Sequence, residues 1–167
     1  TSRPAYRAAA IVTLTAALVA AGIAALVWPD ARGLIGYGLY AIPAHLLVSV
    51  LANEPMLLAT AKSYSPTLVA AVGTGGCLVA IVLDYAMIGW LVNHRLIRAE
   101  IDESGGFKTA QRIFGRAPFL LIAGSALLPV PFYPAKILAI ARDYPMSRVC
   151  LALVLGRFPL FYLLALG

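Results

Sequence analysis

Two long apolar runs constrain this chain more than any other feature of its sequence. Residues 8–28 carry no charged side chain, and residues 66–92 carry only Asp84. A helix needs roughly 20 predominantly apolar residues to cross the hydrocarbon of a bilayer. The composition agrees, because 62% of the 167 residues are hydrophobic and only 12% are charged. The sequence therefore predicts an all-α integral membrane protein, organised as one membrane domain over residues 1–167.

The first run follows Arg3 and Arg7, just as the apolar core of a signal peptide follows a charged start. It is longer than the roughly 7–15 residues of such a core, and further apolar segments follow it. We therefore interpret residues 8–28 as the first transmembrane helix and residues 66–92 as the second.

The segment between these helices, residues 33–65, is apolar but interrupted by Asn53, Glu54 and Pro55. Proline disrupts regular helix geometry, and broken backbone inside hydrocarbon needs surrounding protein or a wet cavity. The part after Pro55 would rise only about 15 Å as a helix, half of the roughly 30 Å core. The pattern predicts a re-entrant hairpin with its tip at Asn53–Pro55.

Residues 117–144 have the same plan, with helix-breaking prolines at Pro129, Pro131 and Pro134 in the middle of an apolar stretch. They predict a second re-entrant hairpin. Residues 145–167, which contain Arg157, are predicted to form the third transmembrane helix.

The two predicted hairpins end in similar sequences, "LATAKSYSP" at residues 58–66 and "LAIARDYP" at residues 138–145. Both contain a basic residue and a tyrosine in the same order, which predicts that Lys62 and Arg142 anchor equivalent turns at the membrane interface. The chain would then consist of two hairpin-plus-helix units after a leading helix. Chance similarity in a chain rich in Ala and Leu is the alternative.

Basic residues predict the orientation, because cytoplasmic loops near membrane ends collect Lys and Arg. Arg3 and Arg7 place the amino terminus in the cytoplasm. Residues 93–116 read as a cytoplasmic amphipathic loop ending in a third interfacial anchor, Arg116. One hairpin then opens outward and the other inward, which makes an inverted repeat of the kind that secondary transporters use.

Four ionisable residues lie inside the apolar segments: Glu54, Asp84, Lys136 and Arg157. Each costs roughly 2.5–3.5 kcal/mol at the membrane centre on insertion scales. We predict that they form, with Asn53, a substrate or proton site between the hairpin tips. In the alternative, Lys136 extends to an interface and Asp84 makes a purely structural ion pair with Arg157.

These side chains suggest what the site accepts. Glu54 is a candidate proton carrier, and basic side chains match the oxygens of a phosphate, such as that of a lipid headgroup. The net charge of +6 and the amphipathic loop suit an anionic leaflet better than a nucleic acid. Membrane lipids and protons are therefore the predicted partners, and homo-oligomerisation stays open.

Other polar features favour structural explanations. His45 has no second ligand at metal spacing and is predicted to be packed and hydrogen-bonded. The "GTGG" at residues 73–76 is better explained by close helix packing than by phosphate binding, and Cys77 and Cys150 by packing in separate spans. The sequence contains no nucleophile–base pair, metal cluster or cofactor fingerprint, so we predict neither an enzyme nor a cofactor nor a metal.

The stretch "LLPVPFYPAKILAIARDYPMSRVCLALVLGRFPLFYLLALG", the tip "NEP" and the glycines around Asp84-Tyr85 resemble the DedA-like family, also described as SNARE-associated Golgi or VTT-domain proteins. The likeness covers residues 33–167. It implies two oppositely facing re-entrant hairpins and movement of undecaprenyl phosphate or phospholipid between leaflets, in some members dependent on the proton gradient. It also implies a bacterial inner-membrane location.

Two residues match positions that matter in the DedA-like family, and two depart from its pattern. Glu54 stands where the family has its hairpin-tip acid, and Arg157 stands in the family's G-R-x-P. Ile42 replaces a further acid of many bacterial members, and only Lys136 stands where they have an arginine pair. The sequence thus predicts a flippase or scramblase, with a non-transporting scaffold or assembly factor and a proton-coupled exporter of small cations as alternatives.

Overall fold

The computed structural model describes residues 3–47, 51–91, 105–128 and 133–167, and every regular element in these ranges is helical. The helices in chain order are α1 (Arg3–Val27), α2 (Arg32–Ala44), α3 (Glu54–Ala61), α4 (Pro66–Leu91), α5 (Gly105–Arg116), α6 (Pro118–Leu127), α7 (Tyr133–Ala141) and α8 (Met146–Leu166). A turn of 3-10 helix, Pro29–Ala31, joins α1 to α2. The predicted all-α class is confirmed.

Three helices among the described residues are long and apolar enough to cross a membrane: Arg7–Val27 in α1, Pro66–Met87 in α4 and Met146–Leu166 in α8. They coincide with the three predicted spans. Large apolar side chains such as Ile11 and Leu26 lie exposed on α1, a surface that would be unfavourable in water. The fold is therefore compatible with an integral membrane protein.

The helices pack around two apolar cores. Helix α4 runs along α8, and α1 and α2 lie against α4, while α6 lies against α8. One core gathers residues of α2, α3, α4 and α8 around Tyr37, Leu57 and Phe161. The other gathers residues of α4, α6, α7 and α8 around Ile122 and Leu138. Helices α4 and α8 thus contribute to both cores.

The first broken segment consists of α2, residues 45–53 and α3. Helix α2 ends at Ala44, well before the predicted tip, and α3 begins at Glu54. Residues 48–50 lie outside the described residues. The break is therefore wider than the tip at Asn53–Pro55 that the sequence predicts.

The second broken segment consists of α6, residues 128–132 and α7. Pro134 is the second residue of α7, as Pro55 is of α3. Proline is tolerated there, because first-turn amides have no partner within the helix. Both prolines thus mark where a helix resumes, while Pro129 and Pro131 lie outside the described residues.

The two ends of each broken segment lie beside one another. In the first, the Tyr64 hydroxyl after α3 donates a 2.7 Å hydrogen bond to the Asp30 carbonyl before α2. In the second, the Tyr144 ring after α7 meets the edge of the Phe114 ring before α6, with centroids 5.7 Å apart. The first and last residues of each broken segment therefore lie close together.

These paired ends lie at opposite ends of α4. The end at Tyr64 adjoins Pro66, the first residue of α4. The end at Tyr144 is fixed to the other part of that helix, since the Tyr85 hydroxyl donates a 2.9 Å hydrogen bond to the Tyr144 carbonyl. Tyr85 lies about 28 Å further along α4 than Pro66, at roughly 1.5 Å per residue.

The turns that close the two segments share a burial pattern but differ in backbone. Lys62 and Arg142 are exposed, and the tyrosine two residues after each is half-buried. After α7, the Asp143 amide bonds the Ile140 carbonyl and the Tyr144 amide bonds the Ala139 carbonyl, as in a Schellman cap. Asp143 accordingly has a φ of 49°. The turn after α3 closes without such a residue.

The predicted amphipathic loop covers residues 93–116. Its part from Gly105 onward forms α5, and residues 92–104 lie outside the described residues. Phe114 of α5 is buried in the second core, whereas Arg112 and Arg116 are exposed. Phe114 thus packs α5 against the fold, while its arginines and Ile113 are exposed.

Two glycines at equal distances from the starts of α4 and α8 permit close helix crossings. A methyl carbon at Gly76 would lie 2.5 Å from the Ala41 Cβ of α2, and one at Gly156 would lie 2.6 Å from the Ala126 Cβ of α6. These separations are far inside van der Waals contact. The predicted close packing through the small residues 73–76 is confirmed at Gly76. Gly156 makes the corresponding close contact in α8.

We expect Gly76→Ala and Gly156→Ala each to lower the free energy of unfolding by about 1–3 kcal/mol, because an added methyl group forces two helices apart. Gly75 and Gly124 are the matched controls, since a Cβ there meets nothing within 4 Å. Alanine should stabilise those positions by up to about 1 kcal/mol through helix propensity. Thermal unfolding in detergent measures all four, and equal effects at Gly75 and Gly76 would contradict the close crossing.

Candidate functional site

Asp84 and Lys136 form a buried ion pair between α4 and α7. The Lys136 ammonium contacts the Asp84 carboxylate, and the two side chains are 4% and 2% exposed, respectively. The sequence predicts that both belong to one polar site, and the structure brings them into direct contact. The alternative in which Lys136 extends to an interface is wrong, because the side chain is enclosed by protein.

Backbone groups from the first break bond both members of this pair. The Leu47 amide donates a 3.0 Å hydrogen bond to Asp84 Oδ1, and Lys136 Nζ donates a 2.5 Å hydrogen bond to the His45 carbonyl. Both backbone groups follow the end of α2, where a helix leaves its last carbonyls without intrahelical partners. The ion pair thus supplies the partners that broken backbone needs in an apolar environment.

His45 packs between the end of α2 and Phe161 of α8. Its Nδ1 is 2.7 Å from the Ala41 carbonyl, and since a carbonyl only accepts, Nδ1 carries the proton. Its ring is tilted by 56° against Phe161, with centroids 5.6 Å apart. The prediction that His45 is packed and hydrogen-bonded is confirmed.

Arg157 lies beside Phe161, the ring that packs against His45. The Arg157 guanidinium carbon lies 5.8 Å from the centroid of Phe161, within the range of a cation–π contact. Glu54 is exposed at the first position of α3, where a carboxylate also suits the helix dipole.

Asn53 contributes to a separate polar contact. It is 4% exposed, and its Nδ2 lies 3.4 Å from the hydroxyl of the fully buried Tyr37. Its Oδ1 is buried without a hydrogen-bond partner among the described residues. Gly73 lies against the Tyr37 hydroxyl, where a Cβ would collide with it. The absence of a side chain at Gly73 therefore makes room for this tyrosine.

Sequence reasoning missed Tyr37 and the backbone of His45 and Leu47. Tyr37 is one aromatic residue in an apolar arm, and only its burial beside Asn53 distinguishes it. Backbone amides and carbonyls are the same in almost every residue type, so the sequence does not show which of them bind a charged side chain. One signal could have indicated the backbone groups of His45 and Leu47. It is the end of a helix inside an apolar segment, together with a charged residue in another apolar segment.

The three predicted interfacial anchors, Lys62, Arg116 and Arg142, are all exposed. Among the described residues, no group of three His, Cys, Asp or Glu side chains is placed to hold a metal ion. Comparisons of the chain with protein-family models, with curated proteins and with solved structures give no match.

Proposed function

We propose that this protein moves lipids with phosphate headgroups between the leaflets of a membrane, as a flippase or scramblase. The observation that carries the proposal is the buried Asp84–Lys136 pair, bound by backbone from a broken helix. Charges at this depth of a spanning helix are rare and are typical of substrate and proton pathways. Arg157, beside the Phe161 ring that packs on His45, adds a second cation, and Glu54 at the start of α3 adds a second acid.

The arrangement of the broken segments supports an inverted repeat. Each segment has its two ends side by side, and the two pairs of ends lie at opposite ends of α4. Re-entrant hairpins that open to opposite faces would have this geometry. Broken helices that meet between inverted repeats are the usual substrate sites of secondary transporters.

The chemistry of the site favours a phosphate. Lys136 and Arg157 supply cations that hold phosphate oxygens, while Glu54, exposed at the start of α3, is placed to exchange a proton with the solution or the headgroup. In this mechanism the phosphate competes with Asp84 for Lys136, and separation of the pair frees the backbone of the break to move. The resemblance to DedA-like proteins favours undecaprenyl phosphate or phospholipid as the substrate.

The basic residues favour a cytoplasmic amino terminus, and the resemblance to DedA-like proteins favours a bacterial inner membrane. Helix α5, with exposed Arg112 and Arg116, lies near the Tyr85 end of α4, which the positive-inside rule then assigns to the cytoplasm. The first broken segment would then open to the outside.

Lipid exchange in liposomes tests the proposal directly. Purified protein should accelerate the exchange of labelled phospholipid or undecaprenyl phosphate between leaflets. Arg157→Ala should slow the exchange about 10- to 100-fold, because it removes a charged interaction of roughly 1.5–3 kcal/mol with the headgroup. Glu54→Gln should abolish the part of the exchange that depends on a pH gradient, because it removes the proton carrier. Parallel runs with and without a pH gradient determine whether exchange is proton-coupled.

Arg148→Ala is the matched control, since Arg148 is an exposed arginine at the start of the same helix as Arg157. It should leave the exchange rate unchanged. The competing function is a scaffold, in which Asp84 and Lys136 only hold α4, α7 and the end of α2 together. Folded Glu54→Gln and Arg157→Ala proteins as active as the wild type would rule out the proposed site.

A further inference from the structure

We infer that a pocket between α5 and α7 binds the headgroup of an anionic phospholipid from the adjoining leaflet. The pocket has a volume of about 320 Å³ and is lined by Gln111, Phe114, Gly115, Leu138 and Arg142. This volume lies at the lower end of the roughly 300–1,000 Å³ range of small-molecule sites. The inference goes beyond the proposed function, because a lipid can bind here whether or not it is transported.

The lining of the pocket combines the two chemistries of a phospholipid where its headgroup meets its chains. Arg142 and Gln111 provide donors, of which the guanidinium matches phosphate oxygens in pairs. Phe114 and Leu138 provide an apolar wall for the first carbons of the chains. Gly115 adds no side chain to the lining, and a Cβ there would meet nothing within 4 Å, so the space beside it is open to a larger side chain.

The pocket is also placed where anionic headgroups concentrate. Helix α5 packs Phe114 against the fold and exposes Arg112, Ile113 and Arg116. A helix that exposes both basic and apolar side chains suits the membrane interface. Basic clusters at that depth attract anionic lipid by roughly 1 kcal/mol per charge.

The first broken segment provides an internal comparison. Lys62 is the repeat counterpart of Arg142 and is equally exposed. The element beside its turn is the short 3-10 helix Pro29–Ala31, to which Tyr64 bonds and which carries the acidic Asp30. No amphipathic basic helix accompanies Lys62 among the described residues, so the inference assigns lipid binding to Arg142 and not to Lys62.

Native mass spectrometry of the detergent-purified full chain tests the inference, with phosphatidylglycerol as the probe and phosphatidylcholine as the zwitterionic comparison. The wild type should retain phosphatidylglycerol preferentially. Arg142→Gln should weaken its binding about tenfold, the loss expected for one charge-assisted hydrogen bond. Gly115→Leu should weaken it as much by filling the pocket while Arg142 stays in place, and Lys62→Gln should bind like the wild type.

Circular dichroism establishes that each variant is folded. The inference would be overturned by any of three results. Both pocket variants could bind phosphatidylglycerol as tightly as the wild type, Lys62→Gln could weaken binding as much as Arg142→Gln, or the wild type could retain phosphatidylcholine as well as phosphatidylglycerol. Failure of the proposed function is distinguishable, because it would remove lipid exchange from the wild type while phosphatidylglycerol binding and its dependence on Arg142 persist.

Discussion

Asp84→Asn or Lys136→Met alone should lower the free energy of unfolding by about 3–5 kcal/mol, because each change leaves the other charge buried without its counter-ion. Both side chains are almost fully enclosed, so water cannot replace the lost partner. These are the largest stability effects we expect from single substitutions in the chain.

The double variant Asp84→Leu/Lys136→Met separates the ion pair from its backbone partners. Removing both charges avoids the uncompensated charge, so the double variant should be more stable than either single variant. Recovery should stay incomplete, since the Leu47 amide and the His45 carbonyl lose the side chains that bond them. Each unsatisfied buried backbone group costs about 1–3 kcal/mol.

Asp30→Asn and Lys62→Met are the matched controls, since they remove the same kinds of charge from exposed positions. Each should change stability by less than about 0.5 kcal/mol. Unfolding in mixed micelles titrated with a denaturing detergent and followed by circular dichroism measures the whole set. Single variants of Asp84 or Lys136 that fall within the range of the controls would contradict a buried, energetically coupled pair.

The spanning helices could be predicted from sequence because bilayer thickness sets a minimum length for an apolar run. Helix α4 begins at Pro66, as predicted, and α8 begins one residue after Pro145. Charge and turn residues set these ends locally, so no information from distant parts of the chain was needed.

The first break could not be placed from sequence, because distant residues determine it. The prolines suggested a tip at Asn53–Pro55, yet α2 already ends at Ala44. The groups that satisfy the freed backbone come from Asp84 and Lys136, far along the chain from His45 and Leu47. Pro43, next to the last residue of α2, is a local signal of this helix end, but the partners of the freed backbone have no local signature.

The residues of the polar site were easier to predict than the contacts between them. Each charge in an apolar segment needs a partner, which singled out Asp84, Lys136, Glu54 and Arg157. Which acid meets which base depends on how each helix is rotated about its axis. Rotation follows from tight contacts such as Gly76 on Ala41, and the sequence alone favoured no pairing.

Cysteine accessibility should give opposite results for the turns after α3 and α7. Ser63→Cys and Ser147→Cys place thiols at exposed positions near Tyr64 and Tyr144, respectively. If the broken segments are re-entrant and inverted, a membrane-impermeant maleimide applied to intact cells should label Ser63→Cys only. Inside-out vesicles should show the reverse, with Ser147→Cys labelled and Ser63→Cys protected.

The labelling requires a background in which Cys77 and Cys150 are replaced by alanine. A variant that keeps Cys77 alone is the negative control, because this thiol is 3% exposed and should stay unlabelled from both sides. Permeabilised cells give the total reactive thiol for each variant. Since the two turns lie at opposite ends of α4, and α4 is long enough to span the membrane, labelling of both sites from one face would contradict the inverted placement. Labelling of the expected sites from the exchanged faces would keep the inversion and reverse the orientation of the whole chain.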